Sequence, residues 1–262
     1  MKLKDIYRWG KEFGINPLMT VYALKNISWF VKDSLKIKRM LRNNKDWHIS
    51  KIYPCLHDKS EDAGSVKGHY FNQDLLVAQK IFERNPSKHV DVGSSIEGFI
   101  AHIASFRNIE VFDIRPLKTS FNNIIFRQSN LMKLDKKYID YADSVSSLSV
   151  LEHFGLGRYG DPLDIYGYKK GFENIVKILK KNGIFYFSVP ISRRQRIEFN
   201  AHRVFSIKTI LNLAKENNLE VINFSYVDDL GDIHKNIKLS DKDIIDSFNL
   251  YWGCGIWEFK KI

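Results

Sequence analysis

Two acids that end apolar strands, a turn of small residues and a Glu-His pair are the side chains here whose types and spacing could do chemistry. His89-Val90-Asp91-Val92 reads as a short strand, and Gly93-Ser94-Ser95-Ile96-Glu97-Gly98 as a tight turn opening a helix. Ile109-Glu110-Val111-Phe112-Asp113 reads as a second strand that also closes on an acid. In open α/β folds a small-residue turn lets the backbone approach a ligand, and the second acid bonds a ribose. That is how adenosine-containing ligands are held. Singly, Asp91 and Asp113 also read as turn or cap residues; their joint position favours binding. Gly93 reads as a positive-φ residue or a point of close backbone approach.

A second set of groups follows the later strands. His153, in Ser149-Val150-Leu151-Glu152-His153, and His202, in Asn200-Ala201-His202-Arg203, are the candidate catalytic residues. An imidazole titrates near neutrality and can act as general base or as an acceptor ligand. His153 also reads as a capping histidine, and His202 as an exposed loop residue. Arg158, Tyr159 and Asp161 lie in a glycine-punctuated loop. That loop is either a turn stitched by an Arg–Asp pair or a substrate loop, joined by Glu152, Asn200 and Arg203. With Arg193, Arg194 and Arg196, these arginines point to an anionic acceptor, phosphorylated or nucleotide-linked, because guanidinium groups hold such oxygens. His69 and Tyr70, ahead of the first strand, read either as packing on the ligand or as plain structure.

The elements that must position these groups alternate from about residue 66. Leu75, Leu76, Ala78, Ile81 and Phe82 recur at helical spacing. The spacing then predicts a strand over 89–92, a helix near 98–106, strands over 109–113, 123–127 and 144–149, and a helix over 168–179. That helix is expected to close on the basic turn Lys180-Lys181-Asn182-Gly183. A fifth strand over 184–189 is expected to stop at Pro190, followed by a helix over 207–217 and strands over 220–226 and 255–260. Only a loop, 228–246, joins the last two strands, with a short helix over 241–248. Alternating βα units imply a mostly parallel sheet covered on both faces.

Size and composition set the frame. A chain of 262 residues with 44% hydrophobic residues can bury a large core. The formal net charge is +11, and residues 1–51 carry twelve Lys/Arg against four Asp/Glu. This front segment reads as helices and a connector, punctuated by Pro17 and Pro54. Its charge is either a solvated face or an attraction to an anionic partner such as a membrane surface. No nucleic-acid reading motif accompanies it. Cys55 and Cys254 have no metal-ligand spacing, so neither a metal site nor a disulfide framework is expected. The first residues lack an apolar signal-peptide core. The best apolar run, Pro17 to Val31, is shorter than the ~20 residues a spanning helix needs. A cytoplasmic protein with peripheral membrane contact at most is expected.

Over residues 66–262 this arrangement resembles the class I S-adenosylmethionine-dependent methyltransferases. That resemblance implies a Rossmann-like α/β fold of seven strands, the last antiparallel, after a helical extension over 1–65. It implies S-adenosylmethionine as cofactor, with Asp91, Gly93, Ser94 and Ser95 near its methionine part. Asp113, with Ile114 and Arg115, would meet the ribose. Ser129, Asn130 and Leu131 would meet the adenine, with Tyr70 and Ser149 completing the site. Ser149 to His153 matches the family's Leu-Glu-His turn facing the methyl acceptor, while Ser95 stands where a second glycine is usual. Four segments (69–71, 89–94, 157–162 and 199–205) also resemble a small family of uncharacterised methyltransferase-like proteins associated with bacterial surface-polysaccharide synthesis.

The expected reaction is methyl transfer to oxygen on a small anionic or sugar-derived acceptor. A nicotinamide-dependent oxidoreductase would call for G-x-G-x-x-G, whereas only the first and last glycines are present and Glu97 sits near the expected pyrophosphate. Base methyltransferases usually carry adjacent prolines after the fourth strand, and none of the six prolines here is adjacent to another. A non-catalytic binding or scaffold protein is the remaining alternative.

Overall fold

The computed structural model describes residues 3–61, 64, 66 and 68–262. The chain divides into two compact units, residues 1–65 and 66–262. The first holds α1 (Leu3–Glu12) and α2 (Pro17–Met40), with single 3-10 turns at Leu41–Asn43 and Asp58–Ser60. Pro17 opens α2 where a missing N–H costs nothing, and the Asn16 side chain accepts from Met19 N at 3.3 Å.

The second unit begins with α3 (His69–Arg84), which stops at Asn85 in a left-handed conformation. Next come β1 (His89–Val92), a π-helical turn (Ile96–Ile100), α4 (Ala101–Ala104), β2 (Ile109–Asp113), β3 (Ile124–Gln128) and β4 (Ala142–Leu148). Then follow α5 (Gly167–Ile178), β5 (Leu179–Ile191), β6 (Arg196–Glu198), β7 (His202–Val204), α6 (Ile207–Glu216), β8 (Leu219–Val227), β9 (Ile233–His234), α7 (Asp241–Asp246) and β10 (Gly253–Lys261). Eight strands form one sheet in the order β3-β2-β1-β4-β5-β10-β8-β9. Neighbours from β3 to β5 are parallel, and β10 runs antiparallel between β5 and β8. This is the expected Rossmann-like α/β fold.

Strand alternation sends side chains to two cores. Phe185, Phe187 and Val189 of β5 join Phe172 and Ile175 of α5 and Ile210 of α6 on one face. Tyr186 points the other way, to Val77 and Ile81 of α3 and Ile103 of α4. Sheet faces covered by helices explain why β1 and β2 are buried throughout.

Several expectations need correction. The sheet has eight strands, because β9 pairs along β8 through Tyr226 and Val227. α5 ends at Ile178 and β5 starts at once; the left-handed residue in the basic stretch is Asn182, at φ 63, not Gly183. β5 also runs through Pro190. Its pairing with β4 ends at Ser188, and past that point Phe205 N donates to Pro190 O at 2.9 Å, so the missing N–H of Pro190 falls beyond the β4 ladder and is tolerated. Residues 196–204 are an antiparallel ribbon, β6–β7, rather than a loop. On α3, Leu75 and Phe82 face outward, at 39% and 64% exposure, while Leu76, Ala78 and Ile81 are buried.

Candidate functional site

The turn after β1 is built from inside. Asp91 is fully buried; its carboxylate accepts from Ser94 N at 2.9 Å, Ser94 Oγ at 2.7 Å and Ser146 Oγ at 2.6 Å. Burial pushes its pKa up to about 7, against the pull of those hydrogen bonds. Ser94 Oγ in turn accepts from Leu148 N at 3.1 Å, which ties β1 to β4. Gly93 has φ +72, and a Cβ there would lie 2.6 Å from Val150 Cγ1, so glycine is required on both counts. Ser95 replaces the usual second glycine without strain: its φ is −62, and its hydroxyl caps the next turn by accepting from Gly98 N at 3.2 Å.

Two contiguous cavities open at the C-terminal ends of β1, β2 and β4, where ligands bind in open α/β sheets. The first is lined by Gly93, Phe112, Asp113, Ile114, Ser129, Asn130, Leu131, Tyr159 and Asp161, among others. The second, of about 640 Å³, is lined by Tyr70, Gln73, Asp74, Ser95, Glu97 and Arg158, among others. Gly93, Asp113, Arg115, Ser149, His153 and Tyr159 line both. Asp113 closes β2 and faces Arg115, which donates through its N at 2.8 Å and Nε at 3.0 Å to Oδ1 and through NH2 at 2.6 Å to Oδ2. The guanidinium also lies over the Tyr159 ring, 4.7 Å from its centroid. Oδ1 is filled by two donors, and Oδ2, with one, keeps a second lone pair for a ligand hydroxyl.

The turn after β4 is different. Ser149 turns the chain at φ 55, bonded to Gln73 Oε1 through Oγ at 3.0 Å. His153 Nδ1 is 2.7 Å from Ala201 O, and a carbonyl only accepts, so the ring proton sits on Nδ1 and Nε2 carries the lone pair. Burial lowers the His153 pKa to about 4, with the bond to Ala201 opposing and nearby Arg158 adding to the fall. Glu152, 2% exposed, has Oε1 3.9 Å from His153 Nε2, and no group among the described residues bonds its Oε2. Burial pushes its pKa up to about 8. At neutral pH both members of the pair are therefore uncharged.

Six of the expected site residues do not line the cavities. Asp91 and Ser94 hold the first turn together from below. Glu152 is buried beside His153. Asn200 is exposed outside the cleft. The His202 ring stacks on Trp252 at 5.7 Å and 9°, with Nε2 3.5 Å from Glu198 Oε2 and its ring 6.5 Å from that of His153. Arg203, 5% exposed, donates to Phe154 O at 2.5 Å and Asp164 O at 3.4 Å. It staples the loop before α5 and is not presented to a substrate.

The other arginines follow suit: Arg196 pairs with Glu198 at 2.9 Å, and Arg193 donates to Asn249 at 2.9 Å. Asp161 lines the first cavity yet spends its carboxylate on Gly155 N and Tyr159 N. Of the expected substrate arginines, only Arg158 reaches the cleft, donating to Ala201 O at 3.0 Å.

The sequence reading missed Gln73 and Asp74. Both are buried on α3, and a Cβ at Gly98 would meet Asp74 Oδ2 at 2.7 Å. Burial raises the Asp74 pKa to about 6. Their one visible signal is two polar residues set just before Leu75 and Leu76 on a face that otherwise packs inward.

A family model described as "Caenorhabditis protein of unknown function, DUF268" matches residues 102–239, more than half of the chain. That description assigns no reaction and gives no link to surface polysaccharides. No curated protein matches the chain. Solved structures with the same fold include the 1,6-didemethyltoxoflavin-N1-methyltransferase of Burkholderia thailandensis, with bound 1,6-didemethyltoxoflavin and S-adenosylhomocysteine (TM-score 0.52, 14% identity, covering 72% of this chain and 78% of that one). The O-methyltransferase of a trans-AT PKS multienzyme of Brevibacillus brevis, with S-adenosyl-L-homocysteine, is similar (0.52, 16%, 72% and 71%). So is the [4+2]-cyclase SpnF (0.51, 12%, 72% and 81%). At these identities the likeness is one of fold, and the cyclase among them underlines that fold does not dictate chemistry.

Proposed function

We propose an S-adenosylmethionine-dependent methyltransferase from one premise: the chain belongs to the DUF268 family, whose reaction must be read from the site. The observation that carries this reading is the continuous cleft from Asp113 past His153 to Asp74. Asp113 would hold the ribose hydroxyls, and Leu131 with Phe112 would supply apolar contact to the adenine. Asp74 and Glu97 flank the Gly93 turn, where a dinucleotide would bring its pyrophosphate. Two carboxyl groups there repel phosphate and attract an ammonium group, which favours the amino-acid end of S-adenosylmethionine over a nicotinamide cofactor.

When bound, that cofactor supplies an activated methyl group. The chain's own part is to align an acceptor and take its proton. His153 Nε2 offers a lone pair at every pH above about 4. It is a weak base, but an alcohol oxygen becomes strongly acidic as it gains a methyl group, so a weak base suffices if the proton leaves as the new bond forms. This supports a hydroxyl acceptor and O-methylation. The anionic character expected of the acceptor now rests on Arg158 alone, since Arg193, Arg196 and Arg203 are spent on the fold and Arg194 lines neither cavity.

The test is calorimetry with S-adenosylmethionine and S-adenosylhomocysteine, followed by methyl transfer from labelled cofactor to a panel of hydroxyl compounds. Asp113→Ala is expected to weaken cofactor binding about 10- to 100-fold, the loss of hydrogen bonds to a charged group. Binding is also expected to weaken below pH 6, as Asp74 protonates, and Asp74→Asn should remove that dependence. Absence of cofactor binding at saturating concentration would overturn the reading in favour of a scaffold protein.

A further inference from the structure

The first unit exposes apolar and basic side chains together, segregated by face in α1 and interleaved along α2. In α1, at 100° per residue, Ile6, Tyr7 and Trp9 fall on one side, and Arg8, Lys11 and Glu12 on the other. Ile6 and Trp9 are 51% and 60% exposed, and Phe13, just past the helix, is 75% exposed with its ring stacked on Trp9. α2 has no buried residue at all. Along it Leu24, Val31 and Leu35 form an exposed row. Lys25, Lys32, Lys36 and Arg39 form a parallel row beside it, shared with the exposed Leu18 and Val21, while Lys38 falls within the apolar row. Residues 17–45 carry seven Lys/Arg against the single acid Asp33.

Each candidate occupant must satisfy both rows. A nucleic acid would neutralise the cations and leave Trp9, Phe13 and Leu24 in water. A second copy would cover the apolar row but bring its own basic row alongside, where like charges repel. An anionic bilayer meets both needs: apolar rings enter the boundary of the acyl region while Lys and Arg reach the lipid phosphates. Among the described residues no helix is long and apolar enough to cross a membrane, so the contact is one that lies in the surface plane.

We propose that residues 3–45 dock this protein on an anionic lipid surface through Ile6, Trp9 and Phe13 and the paired rows of α2. The test is flotation of the full chain with phosphatidylcholine vesicles, with and without phosphatidylglycerol. The chain is expected to float with the anionic vesicles only, and to be released by salt. At about fivefold per cation near such a surface, replacing Lys25, Lys32, Lys36 and Arg39 by Glu should lower partitioning at least ~100-fold. Trp9→Ser with Phe13→Ser should lower it at least ~10-fold by removing apolar burial. Both variants alter exposed side chains, and an unchanged thermal transition of the sheet would show that the second unit still folds. The proposal is overturned if the chain ignores anionic vesicles, if it binds neutral ones equally, or if either variant partitions like the parent. It is equally overturned if a lipid-free dimer disappears in the Trp9/Phe13 variant, or if duplex DNA retains the chain at salt that releases the vesicles.

Discussion

The turns after β1 and β4 each bury a carboxyl group and treat it in opposite ways. Asp91 accepts three hydrogen bonds from Ser94 and Ser146 and lines no cavity. Glu152 sits beside His153 with Oε2 unbonded among the described residues. A buried carboxyl held by three donors belongs to the scaffold. One left with an unbonded oxygen beside a base is a group the fold keeps at a cost to stability, which is what sites of chemistry do. Under the proposed function, one turn would fix where the ligand lies, and the other would respond to it.

Four substitutions can break or sharpen that contrast. The largest effect is expected for His153→Ala, which should lower methyl transfer to a hydroxyl acceptor by about 10²- to 10⁴-fold while leaving cofactor affinity in place; single-turnover rates check it. A comparable loss with His202→Ala would contradict the assignment, since His202 lies outside the cleft. Next, Asp91→Ala strands the Ser94 N–H and two hydroxyls and should cost about 3 kcal/mol or more in urea unfolding. Glu152→Gln should hardly change stability at low pH, where the native carboxyl is already neutral.

Its signature is in the pH dependence. A carboxyl raised to about 8 in the fold keeps its proton while the unfolded chain loses it near the ordinary Glu value. Native stability therefore falls as pH rises from about 4.5 to 8, by up to 1.4 kcal/mol per unit for this group, and levels off above. The Gln variant should lose that part of the slope. Parallel slopes in variant and parent would place Glu152 among ordinary buried residues.

The difference between the two turns also marks what a sequence can and cannot disclose. β1 and β2 are legible because short stretches carrying Val90 and Val92, and Ile109, Val111 and Phe112, alternate with polar residues and stop at a turn, and Gly93 announces its φ. The ribbon β6–β7 is not: Arg196, Ile197 and Glu198 have no strand-like run, and their pairing with residues 202–204 decides the outcome. Arg203 looked like a substrate cation because its true partners, the carbonyls of Phe154 and Asp164, are far away in the chain. Asp74 was hidden for the same reason. Its importance depends on Gly98 being opposite it, and helical periodicity carries no word of that.

Gln73 Oε1 receives donors from the ends of three strands: Ser149 Oγ at 3.0 Å, Ser188 Oγ at 2.7 Å and Cys254 Sγ at 3.6 Å. One oxygen with two lone pairs is oversubscribed, so no single donor is indispensable and the junction is fault-tolerant from the strand side. From the helix side it has a single point of failure. The amide that collects Ser149, Ser188 and Cys254 is next to Asp74, so one substitution on α3 would release three bonds beside the cleft at once.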